Sequence, residues 1–113
     1  EVEVDVTSLE AVNNYEGSGK ATRIFENGKF THTVTANLDE PAEGKFYEGW
    51  LVTQTPELDF FSTGKLTKSE DGYTLEYTAN EDLSEYNEVV VTEETEEYGL
   101  DGISETHILE GSF

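Results

Sequence analysis

His32 and His107 are the two side chains of this chain whose type suits proton transfer or metal ligation near neutral pH, and 26 acidic residues supply hard oxygen ligands around them. Cysteine is absent, which removes disulfides, thiolate metal sites and cysteine nucleophiles together. A copper or zinc site built on the two histidines would require their strands to be neighbours. His32 shares the parity of Phe30 and Val34 and is read as a core or interface histidine; His107 opens the last strand. Nucleophilic catalysis needs an activated side chain beside a base, and Ser62, before Thr63-Gly64 in a turn-like stretch, lacks any Gly-x-Ser-x-Gly setting. Carboxylate pairs are too abundant to single out a glycosidase site. No catalytic residue is assigned, and the chain is expected not to be an enzyme.

Calcium is the one cofactor the acids leave open, because it takes six to eight oxygen ligands. One cluster is Glu81, Asp82, Glu85 and Glu88. The other, the candidate calcium site, is Glu93, Glu94, Glu96, Glu97 and Asp101. Neither has the Asp-x-Asp-x-Asp-Gly spacing of a dedicated calcium loop, so a solvated acidic face is expected.

The formal net charge is −20, which opposes binding to nucleic acid or to an anionic membrane surface. All six basic residues, Lys20, Arg23, Lys29, Lys45, Lys65 and Lys68, precede residue 69. The rest of the chain repels itself unless salt or divalent cations screen it.

Positioning these residues falls to strands. Val2, Val4 and Val6 alternate with acids, which predicts a half-buried N-terminal strand over residues 1–7. Asn27-Gly28 between two alternating runs predicts a tight hairpin, with Phe30, His32, Val34, Ala36 and Leu38 on one parity. Tyr47, Trp50 and Leu51 lie in a run read as covered on both faces, and Gly49 beside Trp50 suggests a close approach by a neighbouring chain or ring. Phe60 to Lys68 leads through Glu70-Asp71-Gly72 to Tyr73, Leu75 and Tyr77; Val89-Val90-Val91-Thr92 reads as a fully buried strand. Residues 81–86 are too short to be more than a helical turn. The expected fold is a single all-β domain over residues 1–113, a two-layer antiparallel β-sandwich of seven or eight strands with an immunoglobulin-like, Greek-key arrangement. Its expected core is Trp50, Tyr47, Leu51, Phe61, Tyr73, Leu75, Tyr77, Val89 and Val91.

Tyr47-Glu48-Gly49-Trp50-Leu51-Val52, Ser62-Thr63-Gly64-Lys65-Leu66, Asp71-Gly72-Tyr73, Val89-Val90-Val91-Thr92-Glu93-Glu94 and His107-Ile108-Leu109-Glu110-Gly111 follow one another in that order. Together with Gly17-Ser18-Gly19-Lys20-Ala21 and Thr33-Val34-Thr35-Ala36-Asn37-Leu38, they resemble the extracytoplasmic carboxyl-terminal domain of anti-sigma-K factors over residues 9–111. The resemblance implies a β-sandwich displayed outside the cytoplasmic membrane, with no catalytic residues. The sigma-binding helical domain and membrane helix of such factors have no counterpart here, so a free-standing secreted relative or a trimmed chain is expected, its export signal already removed. The expected function is a non-enzymatic cell-surface or extracytoplasmic module acting through protein contacts or self-association. Two alternatives are a filament subunit joined by exchange of the strand carrying Val2, Val4 and Val6, and a calcium-dependent adhesin-like binder.

Overall fold

The computed structural model describes residues 4–13, 15–54, 57–70, 72–100, 102 and 104–113. Val2, Asp71 and Asp101 lie outside the described residues. Nine strands form: β1 Asp5–Ala11, β2 Ser18–Glu26, β3 Lys29–Asn37, β4 Lys45–Thr53, β5 Asp59–Lys65, β6 Thr67–Ser69, β7 Gly72–Ala79, β8 Glu88–Thr95 and β9 Thr106–Ser112. Among the described residues one 3₁₀ turn, Glu96–Tyr98, interrupts them, and residues 81–86 contain a turn but no helix. Among the described residues no helix is long and apolar enough to cross a membrane.

Every pairing is antiparallel, in the order β5-β4-β8-β9-β1-β2-β3-β7-β6. The all-β expectation holds, and the strands form one continuous sheet of nine where seven or eight were expected. Two local features explain the difference. β1 pairs with β2 over six positions and with β9 through Glu10↔Glu110 and Ala11↔Leu109, so it stitches both halves together. The run after Phe60 breaks at Leu66 into β5 and β6, the two ends of the sheet. The Leu66 amide donates to the Tyr47 carbonyl at 2.9 Å, extending the β4–β5 pairing past Lys65, and the sheet as a whole is nearly closed into a barrel.

The β2–β3 hairpin turns as its sequence demands, with Asn27 at φ 53° and Gly28 at φ 78°, the positive angles of a tight primed turn. Its inner face carries Ala21, Phe30, Val34 and Ala36 into a core with Leu9, Tyr47, Leu51, Leu66, Tyr73, Leu75, Leu83, Val89, Val91, Ile108 and Leu109. Phe61 and Tyr77 pack against this core half-buried, with ring centroids 5.6 Å apart. The close approach expected at Gly49 is made by Leu75 and Thr63: a Cβ there would lie 2.6 Å from Leu75 Cδ2 and 2.7 Å from Thr63 Oγ1.

His32 is a core residue, with no exposed surface. Its Nδ1 donates to the Thr22 carbonyl at 3.1 Å, which leaves Nε2 as a bare acceptor without a partner among the described residues. Burial holds its pKa below the usual histidine value; the Thr22 hydrogen bond opposes that shift and the Arg23 charge adds to it. Arg23 stacks on the Phe113 ring at 4.4 Å and pairs with Asp5 at 3.0 Å.

The half-buried N-terminal strand takes the opposite parity to the expected one. Val4 and Val6 face solvent at 54% and 57% exposure, whereas Leu9 on the other face is buried. The core-facing parity is set by the pairing with β2, where Leu9 meets Gly19 and Thr7 meets Ala21. The alternation of Val with acid is real, but on the other parity Asp5 stays exposed and pairs with Arg23 of β2.

Candidate functional site

Trp50 is buried like the other core residues, yet it lies outside the contiguous cluster that fills the barrel. On β4, Tyr47 and Leu51 point into the barrel, and Phe46, Glu48 and Trp50 point outward. The outer face of β4 and β8 is nevertheless buried at Glu48, Trp50, Val90, Thr92 and Glu94, and Glu105, from the connection between β8 and β9, lies against Glu94. The Glu96 amide donates to Gly44 O at 2.8 Å and the Glu105 amide to Glu94 Oε2 at 2.8 Å. Val89, Val90, Val91 and Thr92 are all buried, as expected of a strand covered on both sides, with Val89 and Val91 in the core.

Two irregularities shape what remains open on that face. The β4–β5 register shifts at Gly49/Trp50, after which Leu51 opposes Phe61 and Val52 opposes Phe60. Consecutive phenylalanines thus serve opposite faces: Phe61 joins the core, and Phe60 meets the Trp50 ring edge-on at 5.8 Å and 61°. The β8–β9 register shifts between Val91 and Thr92, where Leu109 opposes Val91 and His107 opposes Thr92. Ile108 is the extra residue, and both Ile108 and Leu109 enter the core. The bulge brings His107 and Glu110, three positions apart and so on opposite faces of a regular strand, to the same outer face. There His107 Nδ1 donates to Glu110 Oε2 at 2.6 Å.

The result is a concavity of about 310 Å³ on the outside of the sheet. Its apolar wall is Trp50, Val52, Leu58, Phe60 and Val90, and its rim carries Gln54, Glu88, Ser104, His107 and Glu110. Trp50 is held in place by its indole N–H, which donates to Thr92 Oγ1 at 2.9 Å. Gln54 Nε2 donates to Glu88 Oε2 at 3.0 Å. Leu58 and Phe60 stay 61% and 46% exposed, so the pocket mouth shows apolar surface to water. A second concavity, about 560 Å³, lies over Gly19, Ala36 and Tyr73 with hydroxyls around it, and its apolar members Ala36 and Tyr73 are already buried.

The remaining sequence-derived candidates separate. Strand alternation puts Glu93 and Glu94 on opposite faces: Glu93 reaches the Ala42 amide at 3.5 Å, whereas Glu94 is buried beneath Glu105. Glu96 and Glu97 sit exposed in the 3₁₀ turn, and Asp101 lies outside the described residues. In the other cluster, Asp82 caps its own turn by accepting from the Ser84 amide at 2.9 Å, Glu81 and Glu85 are exposed, and Glu88 belongs to the pocket rim. Among the described residues no group of three or more His, Asp or Glu is placed to hold a metal ion. His32 on β3 and His107 on β9 are separated by β1 and β2, so they form no common site. Ser62 is inside β5 and accepts from the Gly64 amide at 3.1 Å.

Glu105 was not singled out by the sequence, yet it ties this region together. It accepts from the Thr95 amide and hydroxyl at 3.0 and 2.8 Å and approaches Lys45 at 3.8 Å. The Thr95 hydrogen bonds hold its pKa below the usual carboxylate range. Glu110 and His107 were equally invisible as a pair, because no residue type announces a bulge at Ile108. No protein family, curated protein or solved structure matches this chain.

Proposed function

We propose that this chain is a non-enzymatic binding module of the extracytoplasmic or cell-surface kind, engaging a protein partner through the Trp50–Phe60 pocket. The observation that carries the reading is an apolar concavity on the outside of a sheet whose core is complete without it. Core side chains fill the barrel, so Leu58 and Phe60, 61% and 46% exposed, are surplus to the fold's own packing and available to a partner, with the buried Trp50 behind them. At about 310 Å³ the pocket is at the small end of the roughly 300–1,000 Å³ range of ligand sites, a size suited to one large apolar side chain. The resemblance to anti-sigma-K extracytoplasmic domains and the acidic surface support a location outside the cytoplasm. The sandwich reading stands as a proposal too, resting on the two-pair β9–β1 junction as the line that would divide the sheet into β5-β4-β8-β9 and β1-β2-β3-β7-β6.

Trp50 is the sole tryptophan, so its indole resonance reports the pocket without ambiguity. Titration with N-acetylphenylalanine amide is expected to shift the Trp50 indole and the Phe60, Val90 and Gly111 amides saturably. The expected Kd is on the order of 1 mM, as a ligand of this size allows. Phe60→Ser, at a half-exposed position, should remove the response while leaving the rest of the spectrum in place. Shifts scattered over the surface, or none at the pocket, would overturn the reading.

A further inference from the structure

Resting on that pocket, we infer that its occupant is a cationic peptide segment that lays one large apolar side chain against Leu58 and Phe60, over the buried Trp50, with its basic neighbours over Glu88 and Glu110. Two observations converge on this. The polar side of the rim carries two carboxylates, Glu88 and Glu110, and none of the six Lys and Arg residues lines the pocket. The basic residues nearest in the fold are engaged elsewhere: Lys65 lies over the Phe46 ring at 4.4 Å, and Lys45 donates to Thr95 Oγ1 at 2.9 Å. Each carboxylate is held in place by a neighbour, Glu88 by Gln54 and Glu110 by His107, and each keeps a second oxygen for an incoming donor.

The charge also decides between kinds of partner. A second copy would bring another net charge of −20 against the same acidic rim, whereas a basic segment gains attraction at long range and pairing at contact. Addition of an extra strand along β5 is the weaker mode, because the edge amides of Phe60 and Gly64 are already capped by Asp59 Oδ1 and Ser62 Oγ, at 3.0 and 3.1 Å. Recognition therefore runs through side chains on the sheet face.

The test compares three capped tripeptides, Lys-Phe-Lys, Ser-Phe-Ser and Glu-Phe-Glu, by Trp50 emission and indole shift. At low salt the lysine peptide is expected to bind about tenfold tighter than the serine peptide, with the glutamate peptide weakest, and the spread should collapse near about 1 M salt. In a Glu88→Gln, Glu110→Gln double variant, folded by its amide spectrum, the ratio of lysine to serine affinity should fall close to unity. Equal affinity for all three peptides would refute the cationic occupant while leaving the pocket reading in force. A lysine advantage that persists in the double variant would refute it as well, since the whole surface and not the rim would then be the cause. Loss of binding for all three would sink the pocket reading itself. Concentration-dependent dimerisation that quenches the peptide response would assign the pocket to a second copy and overturn the inference.

Discussion

A Gly111→Val variant is expected to lose about 3 kcal/mol of folding stability, a large part of the roughly 5–15 kcal/mol that holds a domain together. β9 crosses β1 at this point so closely that a Cβ on residue 111 would lie 2.4 Å from the Ser8 carbonyl oxygen and 2.8 Å from Leu9 Cδ2. The first obstacle is backbone and cannot rotate away. The β9–β1 junction has only two register pairs, supported by the Val12 amide on Ile108 O at 2.8 Å and the Thr7 hydroxyl on Ser112 O at 2.7 Å. Prising it apart at Gly111 strains the one join between the halves of the sheet. Urea unfolding monitored by Trp50 emission measures the loss; a change under about 1 kcal/mol would mean the strands do not meet as closely as described.

Phe30→Ala and Phe25→Ala should differ sharply although the two residues are register partners across the β2–β3 hairpin. Phe30 is 1% exposed in the core, and its truncation is expected to cost about 3–5 kcal/mol through lost burial and the cavity left behind. Phe25 is 42% exposed at the barrel end, and its truncation should cost about 1 kcal/mol or less. Comparable shifts in the denaturation midpoint would contradict the packing of this hairpin.

Much of the fold was legible because period-two alternation and turn chemistry act locally. The Asn27-Gly28 hairpin, the doubly covered run at Val89 to Thr92, and the inward parity of Tyr73, Leu75 and Tyr77 all follow from neighbouring residue types. What was not legible depends on distant partners. Val4 and Val6 alternate like a buried face, but only the pairing of β1 with β2 sets which parity meets the core, and Leu9 holds it. The division at Leu66 of the expected single run into β5 and β6 goes with a hydrogen bond to Tyr47, nineteen residues away in the chain.

The candidate site was hidden for the same reason. An aromatic-rich run containing the sole tryptophan reads as core, and Tyr47 and Leu51 do fill it; Trp50 is buried outside that core cluster. The split of Phe60 from Phe61 across two faces follows from ordinary alternation, yet which of them meets Trp50 depends on the register shift at Gly49/Trp50. Of the calcium candidates, Glu93 and Glu94 are adjacent in sequence but lie on opposite faces, because a strand sends adjacent side chains to opposite sides.

That the tryptophan belongs to the outer pocket and not to the barrel interior is what separates a plain scaffold from a binding module. Nuclear Overhauser contacts from the Trp50 indole ring test it most directly. The structure requires contacts to Phe60 and Thr92, with none to Leu9, Phe30 or Leu109. Contacts to those three core residues in place of Phe60 would put Trp50 inside the barrel and remove the site.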